Sequence, residues 1–141
     1  MYDDILDLLP YKSSFRFVDQ ISFLSMDEVR GEYTLKSDSF FYADHFPGNP
    51  VTPGVIITEI MAQIGVVVLG LNLIVHGPGK ENIIPGKKIF PLLASSEVSF
   101  YKIPVPFEQV ITFHIVLEDT KVIKHAFYPR LVQQPACRAV G

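Results

Sequence analysis

Apolar and polar residues alternate from Val29 to Lys36, with Val29, Gly31, Tyr33 and Leu35 set against Arg30, Glu32, Thr34 and Lys36. A period of two predicts a strand with one wet face. Upstream, "DDILDLLP" carries a short helix that Pro10 ends. The next segment, "FRFVDQISFL", is rich in β-formers and predicts the first strand. Three further strands are expected in "EVSFYKI", "QVITFHIVLED" and "KVIKHAFY". In the second of these, Ile111, Phe113, Ile115 and Leu117 alternate with Val110, Thr112, His114 and Val116. Between the two groups the period changes. A turn dense in proline and glycine leads into a run that is apolar on nearly every side, uncharged for 16 residues from Ile60 to Val75. "HGPGKENIIPGKK" follows as a loop, with Pro78-Gly79 and Pro85-Gly86 as turn dipeptides.

Several strands and one long apolar helix predict an α+β domain. A helix apolar all round must be buried all round, and a single sheet covers only one side of it. The simplest solution is an antiparallel sheet curled around the helix, with a second subunit over the remainder. At 141 residues, without an internal repeat or a dividing linker, the chain is expected to be one domain, 1–141. Its tail, 129–141, is atypical: Pro129 and Pro135 suit an edge strand or a loop, and residues beyond Tyr128 are expected to add little to the core.

Composition narrows the classes. With 48% hydrophobic and 19% charged residues the chain is a core-former. A net charge of −3 argues against a nucleic-acid binder. Cys137 is the single cysteine, so neither an internal disulfide nor a thiol metal site can form, and a reducing compartment fits. The acidic start "MYDDILDLLPYK", broken by Pro10, is no signal peptide. The uncharged run falls short of the roughly 20 residues of a membrane span, which predicts a buried helix of a soluble protein.

Candidate chemistry gathers at the start of that helix. Thr52 can serve as N-cap with Pro53 at the first helical position. Gly54 and Val55 then present N–H groups that no helical carbonyl satisfies, at the positive end of the helix dipole. Gly54 has no side chain, so a ligand carbonyl could approach closely. In competition, the Thr52 hydroxyl could take one of those N–H groups. Glu59 lies inside the helix, with Gln63 four residues on along the same face. An isolated carboxylate among Ile60, Met61, Ile64, Val66, Val67 and Val68 would stay protonated more readily than in water, and so could donate a proton. His45, just ahead of the turn, could accept one. Each piece alone has a plainer use. A single Glu in an apolar helix suits a watery groove or a basic partner, a single His before a turn is more often structural, and the prolines alone mean a rigid turn. Their conjunction points to proton abstraction beside a carbonyl.

The stretch "HFPGNPVTPGVIITEIMAQ" resembles the signature H-F-P-G-x-P-x-x-P-G-V-x-x-x-E-x-x-A-Q of the (3R)-hydroxyacyl-[acyl-carrier-protein] dehydratases, FabZ-like enzymes of hot-dog fold. It is met at His45, Phe46, Pro47, Gly48, Pro50, Pro53, Gly54, Val55, Glu59, Ala62 and Gln63. "DILDLLPYKSSFRFVDQI" is similar to that family's opening helix and first strand, and "FYKIPVPFEQV" to a later strand and turn, so the likeness runs from about Asp4 to about Lys124. The chain departs from the family at Phe107, where glycine is frequent, at Tyr101-Lys102, where a basic pair is reduced to one lysine, and in "YPRLVQQPACRAVG".

The resemblance implies an antiparallel sheet wrapped around a central helix, and a carbon–oxygen lyase that needs no cofactor and no metal. His45 would be the base at C2 and Glu59 the acid at the 3-hydroxyl. The Gly54 N–H would polarise the thioester carbonyl, and Gln63 would orient Glu59, with Pro53 and Val55 beside the substrate. The related dehydratase-isomerases carry Asp at the Glu59 position, so Glu here favours dehydration without double-bond migration. Acyl carrier protein is the expected partner. The expected assembly is a homodimer with shared sites, extendable to a trimer of dimers, in the cytoplasm and without a membrane span. A thioesterase of the same fold and a non-catalytic acyl-binding protein are the alternatives. The "HFPG" turn counts against the first, and the presence of both His45 and Glu59 against the second.

Overall fold

The structure is a computed structural model. It describes residues 1–78, 80, 86, 88–92, 97–101 and 106, together with the backbone of the strands at 109–117, 122–131, 134–135 and 139–140. Helix α1 is Asp3–Leu6, and a single 3₁₀ turn follows at Ser13–Phe15. Strands β1 (Gln20–Leu24) and β2 (Glu28–Thr34) form an antiparallel pair. One continuous helix then runs from Gly54 to His76. Its first part, α2 (Gly54–Met61), passes through a wider π-helical stretch at Ala62–Val68 into α3 (Leu69–His76). Strands β3 (Gln109–Leu117), β4 (Val122–Leu131), β5 (Gln134–Pro135) and β6 (Ala139–Val140) complete an antiparallel sheet in the order β1-β2-β3-β4-β5, with β6 also on β4. This is the α+β hot-dog arrangement, a sheet lying against a long central helix.

The alternation expected at Val29–Lys36 is the alternation observed: Val29, Gly31 and Tyr33 are buried, and Arg30 between them is exposed. The helix meets this inner face at its closest at Gly31. A Cβ added there would stand 2.7 Å from Cγ2 of Ile64 and 2.8 Å from Cδ1 of Ile21. Glycine is thus what lets the helix and β2 close on one another. Ile57, Ile60, Ile64 and Val68 are fully buried along the helix, with Val29, Leu35 and Phe17 opposite. At the far end the Asn72 side chain donates to the Ser25 carbonyl at 2.8 Å, tying α3 to the β1–β2 turn. His76 pairs with Asp4 at 3.2 Å, an exposed contact of little weight. The helix is 23 residues, longer than its uncharged run because it includes Glu59, and it is long and apolar enough to cross a membrane. Most of it is instead buried inside this fold.

Three sequence expectations need correction or extension. The first strand begins at Gln20, not at Phe15, because the backbone of Phe15 and Phe17 bonds to a helix side chain and not to a neighbouring strand. In "EVSFYKI", Glu97–Phe100 form no strand and Lys102–Ile103 lie outside the described residues. Val98 leans on the core without a strand ladder beside it. The last long strand does not stop at Tyr128: β4 continues through Pro129, opposite Val110, to Leu131, and the tail folds back on it as β5 and β6. Among the described residues, Pro129 falls between those paired to β5 and those paired to β6. Most of the expected loop at His76–Lys88, and Phe107, lie outside the described residues.

Gly31→Val tests the close approach. Valine favours strands, so local propensity alone predicts a gain. The contacts predict overpacking and a loss of about 1–3 kcal/mol. A lower urea midpoint at unchanged m-value is the expected result, and an unchanged midpoint would show that the helix does not press on β2.

Candidate active site

The Pro/Gly turn is a tightly bonded loop. The Phe46 N–H donates to the Asn49 carbonyl at 3.1 Å, and the Asn49 N–H returns to the Phe46 carbonyl at 2.9 Å. Gly48 takes φ of +73°, a left-handed conformation in which glycine is unstrained. The Val51 N–H donates to the His45 carbonyl at 2.8 Å, closing the loop at its neck. Beneath it, the buried hydroxyls of Tyr42 and Thr52 lie 2.7 Å apart and hydrogen-bond. That bond pins both ends of the segment to the body of the fold.

His45 is held by this frame. Its Nδ1 lies 2.9 Å from the Val51 carbonyl oxygen. A carbonyl only accepts, so Nδ1 carries the proton, and in the neutral ring Nε2 keeps its lone pair. Phe46 stacks on the imidazole, the ring centroids 4.3 Å apart at 23°. The ring is thereby fixed in tautomer and in plane, and its Nε2 has no partner among the described residues.

At the helix start, the expected capping is not what is found. Pro53 itself is the N-cap, with ψ of 137°, and no side chain caps the helix. The Thr52 hydroxyl does not compete for the N–H groups because it is committed to Tyr42. The Pro53 carbonyl accepts from Ile56 at 3.0 Å and from Ile57 at 3.2 Å. The N–H groups of Gly54 and Val55 have no acceptor among the described residues. Two oriented donors at the positive end of a helix of 23 residues remain open to a ligand oxygen.

Glu59 is half-buried, not enclosed. Neither is it isolated: Gln63 Nε2 donates to its Oε1 at 2.9 Å. The premise of a lone carboxylate in an apolar cage therefore does not hold in this chain. Gln63 does more than orient Glu59. Its Nε2 also donates to the Phe15 carbonyl at 2.8 Å, and its Oε1 accepts from the Phe17 N–H at 2.7 Å. A flipped amide would set oxygen against two oxygens, so the side chain has one allowed orientation. Gln63 is completely buried and stands at the beginning of the π-helical stretch, a local widening frequent at functional sites. Tyr11 is a neighbour the sequence gave no reason to expect. Burial first, and then the Glu59 carboxylate, push its phenol above the usual tyrosine range.

His45 and Glu59 form no hydrogen bond or ion pair with one another within the chain. Gly54, Val55, Glu59 and Gln63 share α2 and its continuation, while His45 and Pro53 bracket the turn before it. Among the described residues no group of three metal-ligating side chains occurs.

Comparison with known proteins adds four findings. The FabA-like domain matches residues 9–128. A protein of Desulfotalea psychrophila named 3-hydroxyacyl-[acyl-carrier-protein] dehydratase FabZ is 36% identical over 123 residues, spanning 84% of this chain and 75% of that protein. One of the same name from Caldicellulosiruptor saccharolyticus is 42% identical over 74 residues, 49% of this chain and 51% of its own length. Among solved structures, the dehydratase heterocomplex ApeI:P from Xenorhabdus doucetiae aligns with a TM-score of 0.63 at 16% identity, covering 96% of this chain and 86% of that one. At that identity the likeness is one of fold.

Gln63→Leu keeps the volume and removes three bonds. It leaves the buried Phe17 N–H unpaired, at about 1–3 kcal/mol, and takes from the Phe15 carbonyl the amide that it bonds. Denaturant unfolding should show a loss in that range or beyond. A variant as stable as the parent would mean that water or a rearranged backbone satisfies both groups.

Proposed function

The chain belongs to the family of the FabA-like domain, and from that membership we propose that it removes water from (3R)-3-hydroxyacyl thioesters carried on acyl carrier protein, giving trans-2-enoyl thioesters in fatty-acid or related lipid or polyene synthesis. The observation that carries the reading is the fixed imidazole of His45. Its Nδ1 proton is spent on Val51, so Nε2 is a base held ready for the C2 proton of the substrate. The thioester carbonyl accepts from the open Gly54 and Val55 N–H groups, which stabilise the negative charge that grows on its oxygen. Glu59, in its protonated form, gives its proton to the 3-hydroxyl. The C2–H and C3–O bonds break, a C2=C3 double bond forms and water leaves. Gln63 holds the carboxyl in place, and Pro53 and Val55 line the approach. No cofactor or metal takes part. The names of the relatives support the activity and the carrier protein.

The site is completed by a second copy of the chain. His45 and Glu59 form no hydrogen bond or ion pair within one chain, and one face of the helix stays uncovered. Val55 and Leu73 are exposed there, and Thr58, Glu59, Val66 and Gly70 are half-buried at helical spacing between them. A symmetric partner covers such a stripe and brings its own His45 to this Glu59. The homodimer can assemble further into a trimer of dimers, and the enzyme works in the cytoplasm.

Incubation with a crotonyl thioester separates the readings. A dehydratase hydrates it reversibly, a thioesterase releases thiol, and a binder does neither. His45→Ala and Glu59→Gln should each lose a factor of about 10²–10⁴ in turnover while remaining folded; near-normal turnover in either would overturn its assigned role. Unfolded His45→Ala and Glu59→Ala chains refolded together should recover roughly a quarter of parental activity, because half the dimers are mixed and half their sites are intact. A mixture as inactive as its parents, with mixed dimers shown to form, would place both residues in one chain's site.

A further inference from the structure

Glycine at position 54 invites the reading that it opens the way for a ligand. Its surroundings assign the space differently. A Cβ built on Gly54 would stand 3.3 Å from Cζ of Phe100, 3.4 Å from Cε2 and 3.8 Å from Cε1. The tip of the Phe100 ring therefore rests on the glycine, on the side where any other residue would carry a side chain. Val98, two residues earlier, is half-buried against the core. That contact anchors the run two residues before the ring that meets Gly54. The ring stays 42% exposed while its tip meets Gly54. A phenyl ring offers no lone pair to take the Gly54 and Val55 N–H groups as a carbonyl oxygen would.

We propose that Phe100 is a positioning residue of the dehydration site: its ring seats on Gly54, closes one flank of the Gly54–Val55 N–H pair to water, and fixes the side from which a thioester carbonyl reaches them. A methyl at position 54 would push the ring tip back by a few tenths of an ångström, so glycine gives the ring its closest seat. The inference rests on the dehydratase reading above. Its physical basis is that fixed donors act more strongly on a developing oxyanion where water is excluded. Removing the ring lets water compete for the donors as charge develops, so the loss falls on the transition state more than on substrate binding.

The experiment is a double-mutant cycle between Gly54→Ala and Phe100→Ala, with Phe100→Met as the conservative variant, read by turnover of a crotonyl thioester and by melting temperature. Phe100→Ala is expected to lower kcat by about tenfold with KM changed less than about twofold, and Phe100→Met, which keeps the reach, to restore most of it. Gly54→Ala should cost a similar factor in kcat and lower the melting temperature. With Phe100→Ala present the new methyl meets empty space, so the double variant should be no slower than Phe100→Ala alone, and the melting-temperature loss from Gly54→Ala should vanish. Multiplied losses in the double variant, about a hundredfold together, would show that glycine is needed by the substrate and would overturn the proposal. So would a Phe100→Ala variant with unchanged kcat. A parental chain that hydrates no thioester would sink the dehydratase reading, and Phe100's role in turnover with it. The melting-temperature cycle would still decide whether Gly54 is there for the ring.

Discussion

A single buried amide joins the parts of this molecule that chemistry requires to be together. Gln63 reaches out of the central helix to the backbone of Phe15 and Phe17 on one side and to the Glu59 carboxylate on the other. Both of its N–H bonds and its oxygen are spent, so its orientation admits no alternative. The strand that would otherwise start at Phe15 yields to it, and β1 begins only at Gln20. Phe15 and Phe17 are left as a short irregular passage whose rings pack on one another, 5.0 Å between centroids, and on Tyr33. The carboxylate's direction is in this way referred to the rigid interior and not to the protein surface.

The turn before the helix obeys the same logic with different groups. Tyr42 and Thr52 bond beneath it, His45 and Val51 bond across its neck, and Gly48 permits the reversal. The imidazole's tautomer is set by backbone, not by a carboxylate. Side chains held by backbone and buried polar contacts lose little freedom when a ligand arrives, because most of that entropy was surrendered on folding.

Much of this could be read from the residues. Alternation along Val29–Lys36 disclosed the inner face of β2, and the spacing of His45, Gly54, Glu59 and Gln63 disclosed the candidate site. What could not be read depends on contacts far apart in sequence. Nothing near Thr52 says that Tyr42 will claim its hydroxyl and leave the N-cap to Pro53. Nothing near Phe15 says that its carbonyl belongs to a side chain 48 positions away. "EVSFYKI" has the residues of a strand, yet at 97–100 it has no ladder, because strand formation needs a neighbour as well as a propensity. Pro129 argued for an ending, and the strand passed through it, held in register opposite Val110 of β3.

The reach of Gln63 also bears on the order in which the protein is made. During synthesis Phe17 emerges 46 residues before the glutamine that completes its bonding. Until the helix follows, the Phe15–Phe17 passage has no partner of its own and stays solvated at the mouth of the ribosome. The orientation of Glu59 is thus acquired late, in the same event that docks the helix. A nascent chain that has not yet released Gln63 has no group to hold the Glu59 carboxylate in place.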